Sequence, residues 1–135
     1  MMPSQYAYDN FMTIPYVWSG KTPDQGFDCS GMVSEALKAT GHLPNKSLRN
    51  AQMLYDYLLP KGISSRVTKN SILFFGKSTK KITHIALAWN DWQMIEAGGE
   101  GRKPSDLGSV RMRPISMRGD LVAVINLAFS DSNHL

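Results

Sequence analysis

Hydrophobic residues in the first half of the chain recur with the period of an α-helix. One set has the i, i+3, i+4 spacing of a single buried face: Val33, Ala36 and Leu37. This set predicts a helix from Ser30 to about Ala39. Asp28, just before it, is a favourable N-cap residue, and Gly41, just after it, is a favourable stop.

Two further helices are predicted, one on each side of this one. A short helix is expected around Tyr8–Met12, and residues 14–28 are expected to form a loop. After a break at Gly41–Pro44, Ser47 is placed to cap another helix. The buried face of that helix is predicted from four apolar residues: Leu48, Ala51, Tyr55 and Leu58. The segment Arg-Asn-Ala-Gln over 49–52 at its start is interpreted as simple surface helix.

From residue 63 onward the pattern becomes that of β-strands. The apolar run Ser71–Phe75 predicts a buried strand, and residues 84–89 and 92–97 predict a hairpin. Two more strands are expected, Val110–Arg113 and Leu121–Phe129. The remaining segments are expected to be a basic loop (76–83), an exposed loop (98–109) and a polar tail (130–135). Helices followed by antiparallel strands indicate an α+β fold, and we expect one domain over 1–135.

Composition and charge narrow the class of protein. A chain of 135 residues with 42% apolar residues fits one globular domain that needs no disulfide. The single cysteine and the scattered histidines argue against a disulfide framework and a zinc site, so we expect no cofactor and no metal. The net charge is +4. Most basic residues are interpreted as solvated surface: Lys61, Arg66, Lys69, Lys77, Lys80, Lys81, Arg102, Lys103, Arg111, Arg113 and Arg118. They form no stripe, so we expect no nucleic-acid partner.

The beginning of the sequence does not resemble a secretory signal. Residues 1–20 have no basic start and no apolar run of signal-peptide length. No stretch is apolar over a membrane-spanning length. We therefore expect a monomer that is made in the cytoplasm, lacks a signal peptide and does not insert into a membrane.

Cys29 is the strongest candidate for chemistry. The predicted helix places it in the first turn, where unpaired N–H groups and the helix dipole favour an anion. A thiolate is such an anion, so the position favours a nucleophilic cysteine. The alternative is a small buried apolar residue, which is a common role for a free cysteine.

A nucleophilic cysteine needs a base, and His84 is the best placed of the three histidines. It begins an apolar run, where a polar residue needs a reason. His42 lies at the far end of the Cys29 helix and His134 lies in the predicted tail. The alternative for His84 is a half-exposed histidine at a strand end.

Two motifs surround the cysteine: Pro-Tyr-Val-Trp-Ser-Gly over 15–20 and Gly-Phe-Asp-Cys-Ser-Gly over 26–31. Together they resemble the signature of the NlpC-type cell-wall cysteine peptidases, although the family usually has a glycine where this chain has Ser19. The resemblance continues through residues 84–97 and so spans most of the chain. It implies a papain-like fold and an enzyme that cuts stem peptides of bacterial peptidoglycan.

The resemblance also implies roles for individual residues. His84 is similar to the family's catalytic histidine at the start of a strand. Glu96 stands where the family has its orienting residue, often a second histidine, on the next strand. A carboxylate can also accept the imidazole N–H and stabilise the imidazolium. The alternative for Glu96 is a solvated glutamate at a strand end.

An oxyanion that forms at such a site needs hydrogen-bond donors. The backbone N–H of Cys29 is one, and the resemblance implies the Tyr16 hydroxyl as a second, with a core tyrosine as the alternative. Trp18, Asp28 and Ser30 are expected to be structural or to line the substrate site, without a direct part in the chemistry.

The hairpin register tests the assignment of Glu96. We expect a loop with an odd number of residues centred on Asn90, which places Glu96 directly opposite His84 on the same face. A tight two-residue turn at Asn90–Asp91 would place the two side chains on opposite faces.

These expectations combine into one hypothesis. Cys29 attacks a stem-peptide carbonyl and forms a thioester acyl-enzyme, His84 transfers the proton, and Glu96 orients His84. The resemblance implies cleavage between γ-D-glutamate and a diamino acid. The lack of a signal peptide favours a phage lysin, a tail-associated wall hydrolase or an effector exported by another route. A Cys/His amidase or acyltransferase with another substrate, and a non-catalytic wall-binding module, stay open.

Overall fold

The computed structural model describes residues 1–44, 50–62, 64, 66–98 and 108–127. The elements in these ranges, in chain order, are α1 (Pro3–Asn10), β1 (Lys21–Thr22), β2 (Gly26–Phe27), α2 (Cys29–Ala39), α3 (Ala51–Leu58), β3 (Ile72–Ser78), β4 (Lys81–Ala88), β5 (Gln93–Gly98), β6 (Ser109–Pro114) and β7 (Leu121–Ile125). Short 3-10 turns occupy Leu59–Lys61 and Ile115–Met117. The predicted α+β class is confirmed. No helix in these ranges combines the length and the apolar character that a membrane crossing needs.

The five longer strands form one antiparallel sheet with the order β6-β5-β4-β3-β7. The helices cover one face of this sheet, and α2 packs against the central strand β4 and its neighbour β5. The main core lies between them. Its largest fully buried side chains include Phe27, Met32, Leu37, Leu54, Leu58, Phe74 and Leu87. A smaller apolar cluster on the opposite face contains Leu73, Phe75, Ala86, Ala88, Met94 and Val124.

Both ends of α2 form as the sequence predicts. Asp28 adopts an extended backbone, and its side chain accepts a hydrogen bond from the Gly31 N–H at 2.6 Å. At the other end Gly41 has a φ of 80°, and the N–H groups of Gly41 and His42 donate to Lys38 and Leu37. This pair of bonds is a Schellman motif, which satisfies carbonyls that the helix leaves unpaired. The helix therefore starts at Cys29, one residue before the predicted start.

Several element boundaries differ from prediction. Helix α1 begins at Pro3, where proline suits the first turn, and ends at Asn10, so it contains only the first three residues of the predicted Tyr8–Met12 helix. The predicted loop 14–28 contains the small hairpin of β1 and β2. The predicted basic loop 76–83 is mostly strand with a turn at 79–80, and its lysines are all exposed: Lys77 on β3, Lys80 in the turn and Lys81 on β4.

The start of α3 also differs from prediction. The helix begins at Ala51, and the Asn50 side chain caps it by accepting from the Met53 N–H at 2.9 Å. The predicted cap Ser47 and the face residue Leu48 lie outside the described residues. So do most of the predicted loop 98–109, the last residues of the predicted strand Leu121–Phe129 and the predicted tail 130–135.

A β-bulge distorts β4 where it begins to pair with β3. Phe75 pairs with His84, but the next residue of β3, Gly76, pairs with Ile82, so Thr83 is an extra residue on β4. Ile82 and Ile85 both pack in the main core. They are three positions apart, so in a regular strand their side chains would point to opposite faces, and the extra residue brings them to the same face. Bulges re-aim neighbouring side chains, and this one lies directly beside His84.

Candidate functional site

The first turn of α2 and the beginning of β4 border a cleft of about 460 Å³. The cleft is lined by Tyr16, Trp18, Ser19, Asp28, Cys29, Ser30, Asn50, Ala51, Gln52, Ile82 and Thr83. Cys29 is partly exposed here, so the alternative of a cysteine sealed in apolar packing is wrong. A second cavity of about 440 Å³ lies along β7, and its described lining residues include neither cysteine nor histidine.

Close backbone packing fixes the cysteine turn against the β1–β2 hairpin. A Cβ atom on Gly31 would lie 2.1 Å from the carbonyl oxygen of Gly20, and one on Gly20 would lie 2.3 Å from that of Gly26. Side chains at these positions would force the hairpin away from α2. The glycines of the two sequence motifs are therefore explained by contact between the loop and the first helical turn.

Asp28 and Ser30 are held by the side chain of Lys21. The Lys21 Nζ lies 2.7 and 2.9 Å from the two carboxylate oxygens of Asp28, and it donates to the Ser30 hydroxyl at 3.1 Å. Asp28 also caps α2. Asp28 and Ser30 thus have structural partners, in line with the expectation that they do not act in the chemistry, and Lys21 was not predicted from the sequence.

The structure brings Cys29, His84 and Glu96 together. His84 Nε2 lies 2.8 Å from Glu96 Oε1, and the Cys29 side chain lies close enough to His84 to raise the pKa of the imidazole. Since Nε2 faces the carboxylate, Nδ1 is the ring nitrogen left for the sulfur. His84 is 7% exposed and Glu96 is 0% exposed, so neither is the exposed strand-end residue of the alternative interpretations. The nucleophile, base and orienting group of a cysteine hydrolase would need this arrangement.

The hairpin register corrects one expectation and confirms another. Leu87 pairs with Ile95 and Ala88 with Met94, so the pairing is centred on Asp91 and not on Asn90. Glu96 therefore lies diagonal to His84, and direct opposition is wrong. The loop does contain an odd number of residues, 90–92, because the Trp89 N–H donates to the Gln93 carbonyl. An odd loop keeps the two side chains on one face, as the assignment of Glu96 requires.

Three arginines surround the buried Glu96 carboxylate. Arg118 Nε donates to Oε1 at 3.0 Å, while Arg111 Nε and Arg113 Nη1 each lie 3.6 Å from Oε2. The interpretation of these three arginines as solvated surface is wrong. The alternation of Arg111 and Arg113 on β6 was the available signal, since residues two apart share a face of a strand.

These contacts shift the ionisation of both partners. Burial favours the neutral form of Glu96, but hydrogen bonds and charge from His84 and Arg118 lower the pKa of Glu96 to about 2. Burial also acts to lower the pKa of His84. The hydrogen bonds to Cys29 and Glu96 outweigh it, so the pKa of His84 lies above its ordinary value, and Arg118 opposes this rise. The pair is therefore set up as a carboxylate beside an imidazole that readily takes a proton.

Tyr16 lies beside the cysteine and keeps its proton. Burial, followed by negative charge on Cys29 and Asp28, raises the pKa of Tyr16, although Arg118 acts the other way. A protonated phenol is a hydrogen-bond donor, which is the state that an oxyanion contact needs.

Trp18 and Ser19 form the rim of the cleft. Trp18 is 83% exposed, at the apex of a turn in which the Gly20 N–H donates to the Val17 carbonyl. Ser19 has a φ of 61°, in the left-handed region that favours glycine. This conformation accounts for the glycine that the resemblance leads one to expect there.

Gln52 is a further residue that the sequence analysis missed. Its amide donates to the Thr79 carbonyl at 2.9 Å and accepts from the Ile82 N–H at 2.9 Å. This side chain ties α3 to the start of β4, two residues before His84. The interpretation of residues 49–52 as plain surface is therefore wrong for Asn50 and Gln52. Within the described ranges no group of three or more His, Cys, Asp or Glu residues is arranged to hold a metal ion.

Comparison with known proteins gives consistent results. A sequence model described as "NlpC/P60 family" matches residues 13–120. The probable endopeptidase YafL of Escherichia coli is 35% identical over 89 residues, which is 64% of this chain and 35% of YafL. The bifunctional muramidase/DL-endopeptidase CwlT of Bacillus subtilis is 35% identical over 99 residues, which is 70% of this chain and 28% of CwlT. This chain thus spans about a third of the length of these two relatives.

Among solved structures, the NlpC/p60 domain of the peptidoglycan hydrolase SagA superposes with a TM-score of 0.68 at 28% sequence identity. The match covers 93% of this chain and 96% of that domain. The expected papain-like arrangement of helices on an antiparallel sheet is therefore confirmed.

Proposed function

The chain belongs to the NlpC/P60 family, and from this premise we propose that it is a cysteine endopeptidase that hydrolyses stem peptides of bacterial peptidoglycan. The observation that carries the proposal is the contact of Cys29 with His84, whose other ring nitrogen meets Glu96. The names of the matched relatives support the same substrate class, since they include endopeptidases and a peptidoglycan hydrolase.

The geometry supports a two-step reaction. His84 takes the proton of the Cys29 thiol, and the thiolate sulfur attacks the carbonyl carbon of the scissile amide. The C–N bond then breaks, His84 gives its proton to the leaving amine, and a thioester remains on Cys29. Water, deprotonated by His84, attacks the thioester and restores the thiol. Glu96 holds the imidazole in one tautomer and stabilises it when it is charged.

The groups that stabilise the oxyanion lie at the N-terminus of α2. The backbone N–H groups of the first turn have no intrahelical acceptor, and the positive end of the helix dipole lies there. The N–H of Cys29 therefore serves as one donor. The Tyr16 hydroxyl, which stays protonated, serves as the second.

Within the stem peptide, we propose that the bond cleaved is the one between γ-D-glutamate and the following diamino acid. The name of CwlT, a DL-endopeptidase, supports a bond that joins residues of opposite chirality. Trp18 at the rim offers an exposed aromatic face to the substrate beside the scissile bond. Delivery to the wall as a phage lysin, a tail-associated hydrolase or an exported effector stays a prediction.

The test is digestion of purified peptidoglycan with the intact chain and with the Cys29→Ala variant, followed by mass spectrometry of the fragments. The intact chain is expected to release stems that end at D-glutamate, together with peptides whose new amine belongs to the diamino acid. Cys29→Ala is expected to bind the same peptidoglycan without releasing fragments.

Three other outcomes would contradict the proposal in different ways. Cleavage at another bond would remove the bond assignment but keep the endopeptidase. Release of fragments by both proteins would remove Cys29 as the nucleophile. Binding by both without release would identify a non-catalytic wall-binding domain.

A further inference from the structure

Glu96 Oε1 accepts two hydrogen bonds at once, one from His84 and one from Arg118. His84 Nε2 donates to it at 2.8 Å and Arg118 Nε donates to it at 3.0 Å. The same oxygen thus lies between the imidazole and a guanidinium. Arg118 follows the 3-10 turn Ile115–Met117, outside the strands that carry His84 and Glu96.

Arg118 is fixed on a second side by an aromatic ring. Its guanidinium carbon lies 5.8 Å from the centre of the Phe75 ring, and the His84 ring lies 5.5 Å from the same ring. Phe75 is fully buried and pairs with His84 across β3 and β4. Arg118 and His84 are therefore held by the same two partners, the Glu96 carboxylate and the Phe75 ring.

We propose that Arg118 is a positioning residue of the site, which acts through Glu96 to hold the His84 imidazole towards Cys29 and draws part of the carboxylate charge away from that imidazole. This inference rests on the proposed cysteine-hydrolase function. It goes beyond it by assigning a fourth side chain, from a separate segment of the chain, to the control of the base.

The charge arrangement explains why such a residue is needed. A buried carboxylate paired only with an imidazole would favour the imidazolium strongly, and an imidazolium that is too stable gives its proton poorly to a leaving amine. Arg118 opposes the rise in the pKa of His84, while Cys29 and Glu96 promote it. Among the described residues, the other charged or titratable groups around the pair are Arg111 and Arg113 on β6, beside Glu96 Oε2, and Tyr16 near Cys29 with the Asp28–Lys21 ion pair next to it.

Arg111 and Arg113 offer a built-in comparison. They lie 3.6 Å from Glu96 Oε2 and do not touch the oxygen that His84 uses. A substitution that removes the charge of Arg113 therefore removes one positive charge beside Glu96, as does a substitution of Arg118. It leaves both hydrogen bonds to Glu96 Oε1 in place. The separate contribution of Arg118 should be visible as a difference between the two variants.

The experiment uses Arg118→Met, Arg118→Lys, the matched variant Arg113→Met and the surface variant Lys77→Met. One measurement is kcat and KM on a soluble peptidoglycan fragment. The other, which needs no substrate, is the pH titration of the His84 ring nitrogens by NMR. Circular dichroism and thermal unfolding check that each variant is folded, and Arg118→Gln replaces Arg118→Met if that variant does not fold.

Arg118→Met is expected to lower kcat on the order of 10²-fold, because a slight misplacement of the base has effects of that size, with KM changed less than threefold. The His84 titration midpoint is expected to move to higher pH. Arg118→Lys keeps a positive charge but lacks the planar guanidinium, so it should return the midpoint towards that of the intact chain while kcat stays at least tenfold low. Arg113→Met should change both quantities less, and Lys77→Met should leave them unchanged.

A His84 midpoint in Arg118→Met that is unchanged or lower would overturn the proposal, and so would an Arg113→Met variant that matches Arg118→Met in both measurements. If the intact chain fails to cleave peptidoglycan, the proposed function falls, but the titration still decides the role of Arg118.

Discussion

Replacing Glu96 by glutamine removes one charge from a fully buried site and leaves its volume almost unchanged. The amide can no longer neutralise Arg118 at 3.0 Å or the two arginines at 3.6 Å, and it stabilises the His84 imidazolium poorly. Breaking one partner of a buried ion pair typically costs about 3–5 kcal/mol, since the remaining charges stay buried. We therefore expect both stability and activity to fall.

The shifted pKa gives an independent magnitude for stability. The pKa of Glu96 is lowered from 4.5 to about 2, and each unit corresponds to ~1.4 kcal/mol, so the ionised side chain contributes roughly 3 kcal/mol. A group whose pKa is lowered by folding contributes fully above its unfolded pKa. Its contribution is lost as the pH falls through the folded pKa. The contribution of Glu96 is thus complete above pH 4.5 and disappears as the pH falls towards 2.

The assay is urea unfolding of the intact chain and Glu96→Gln, followed by tryptophan fluorescence between pH 2.5 and 7. The two free energies of unfolding should differ by roughly 3 kcal/mol at pH 6, and this difference should start to shrink below pH 4.5 and be mostly lost at pH 2.5. Asp24→Asn, which removes a carboxylate from the exposed β1–β2 turn, is the matched control and should show no such convergence. A difference for Glu96→Gln that is the same at every pH would refute the electrostatic account.

The activity of Glu96→Gln should fall on the order of 10²- to 10⁴-fold in kcat, because the imidazole loses the partner that fixes its tautomer and stabilises its charge. The expected cause is a lower pKa of His84, which its hydrogen bond to Glu96 helps to raise. Full activity in a folded Glu96→Gln variant would remove Glu96 from the site.

Three further substitutions test other parts of the site. Ser19→Gly should raise the free energy of unfolding by about 0.5–1 kcal/mol, because the φ of 61° is costly for an L-residue, while Ser116→Gly, a control in an ordinary 3-10 turn, should lower it in urea unfolding. Gly31→Ala should lower the free energy of unfolding by about 1–3 kcal/mol and slow alkylation of Cys29, since its Cβ would meet the Gly20 carbonyl at 2.1 Å. Gly119→Ala, where no atom lies within 4 Å of the new Cβ, is its control, and equal losses for both would contradict the packing argument. Tyr16→Phe should lower kcat about 10²- to 10³-fold by removing an oxyanion donor, with alkylation of Cys29 unchanged. A Tyr16→Phe variant with normal kcat would leave Tyr16 as a packing residue.

The parts of the fold that the sequence predicts are those with local causes. Helix α2 is predicted well because its cap Asp28, its apolar period and its stop Gly41 all lie within a few residues of one another. The shared face of His84 and Glu96 follows from strand parity once the loop between the two strands has an odd number of residues. The predicted loop centre was one residue off, and the pairing register therefore two residues off, because the Asn90 side chain accepts from the N–H groups of Trp92 and Gln93 and so fixes the loop at 90–92.

The parts that the sequence does not predict depend on long-range contacts. Arg118 meets Glu96 across 22 positions and Gln52 meets Ile82 across 30, and neither pair has a local pattern. In the sequence, an arginine that pairs with a buried carboxylate looks the same as an arginine on the solvated surface. Only the folded sheet brings the guanidinium and the carboxylate together. Lys21 was missed although its partner Asp28 is only seven positions away, because the β1–β2 hairpin that brings the two together was predicted as a loop.

The order of these residues along the chain has a consequence for synthesis. The cysteine helix can form early on the ribosome, but Arg118 follows Cys29 by 89 positions (118 − 29) and the base and its carboxylate lie between them. A partly synthesised chain therefore carries the sulfur without the groups that make it reactive. If the proposed function holds, the reactive site is complete only after the chain has been translated through Arg118 and has folded.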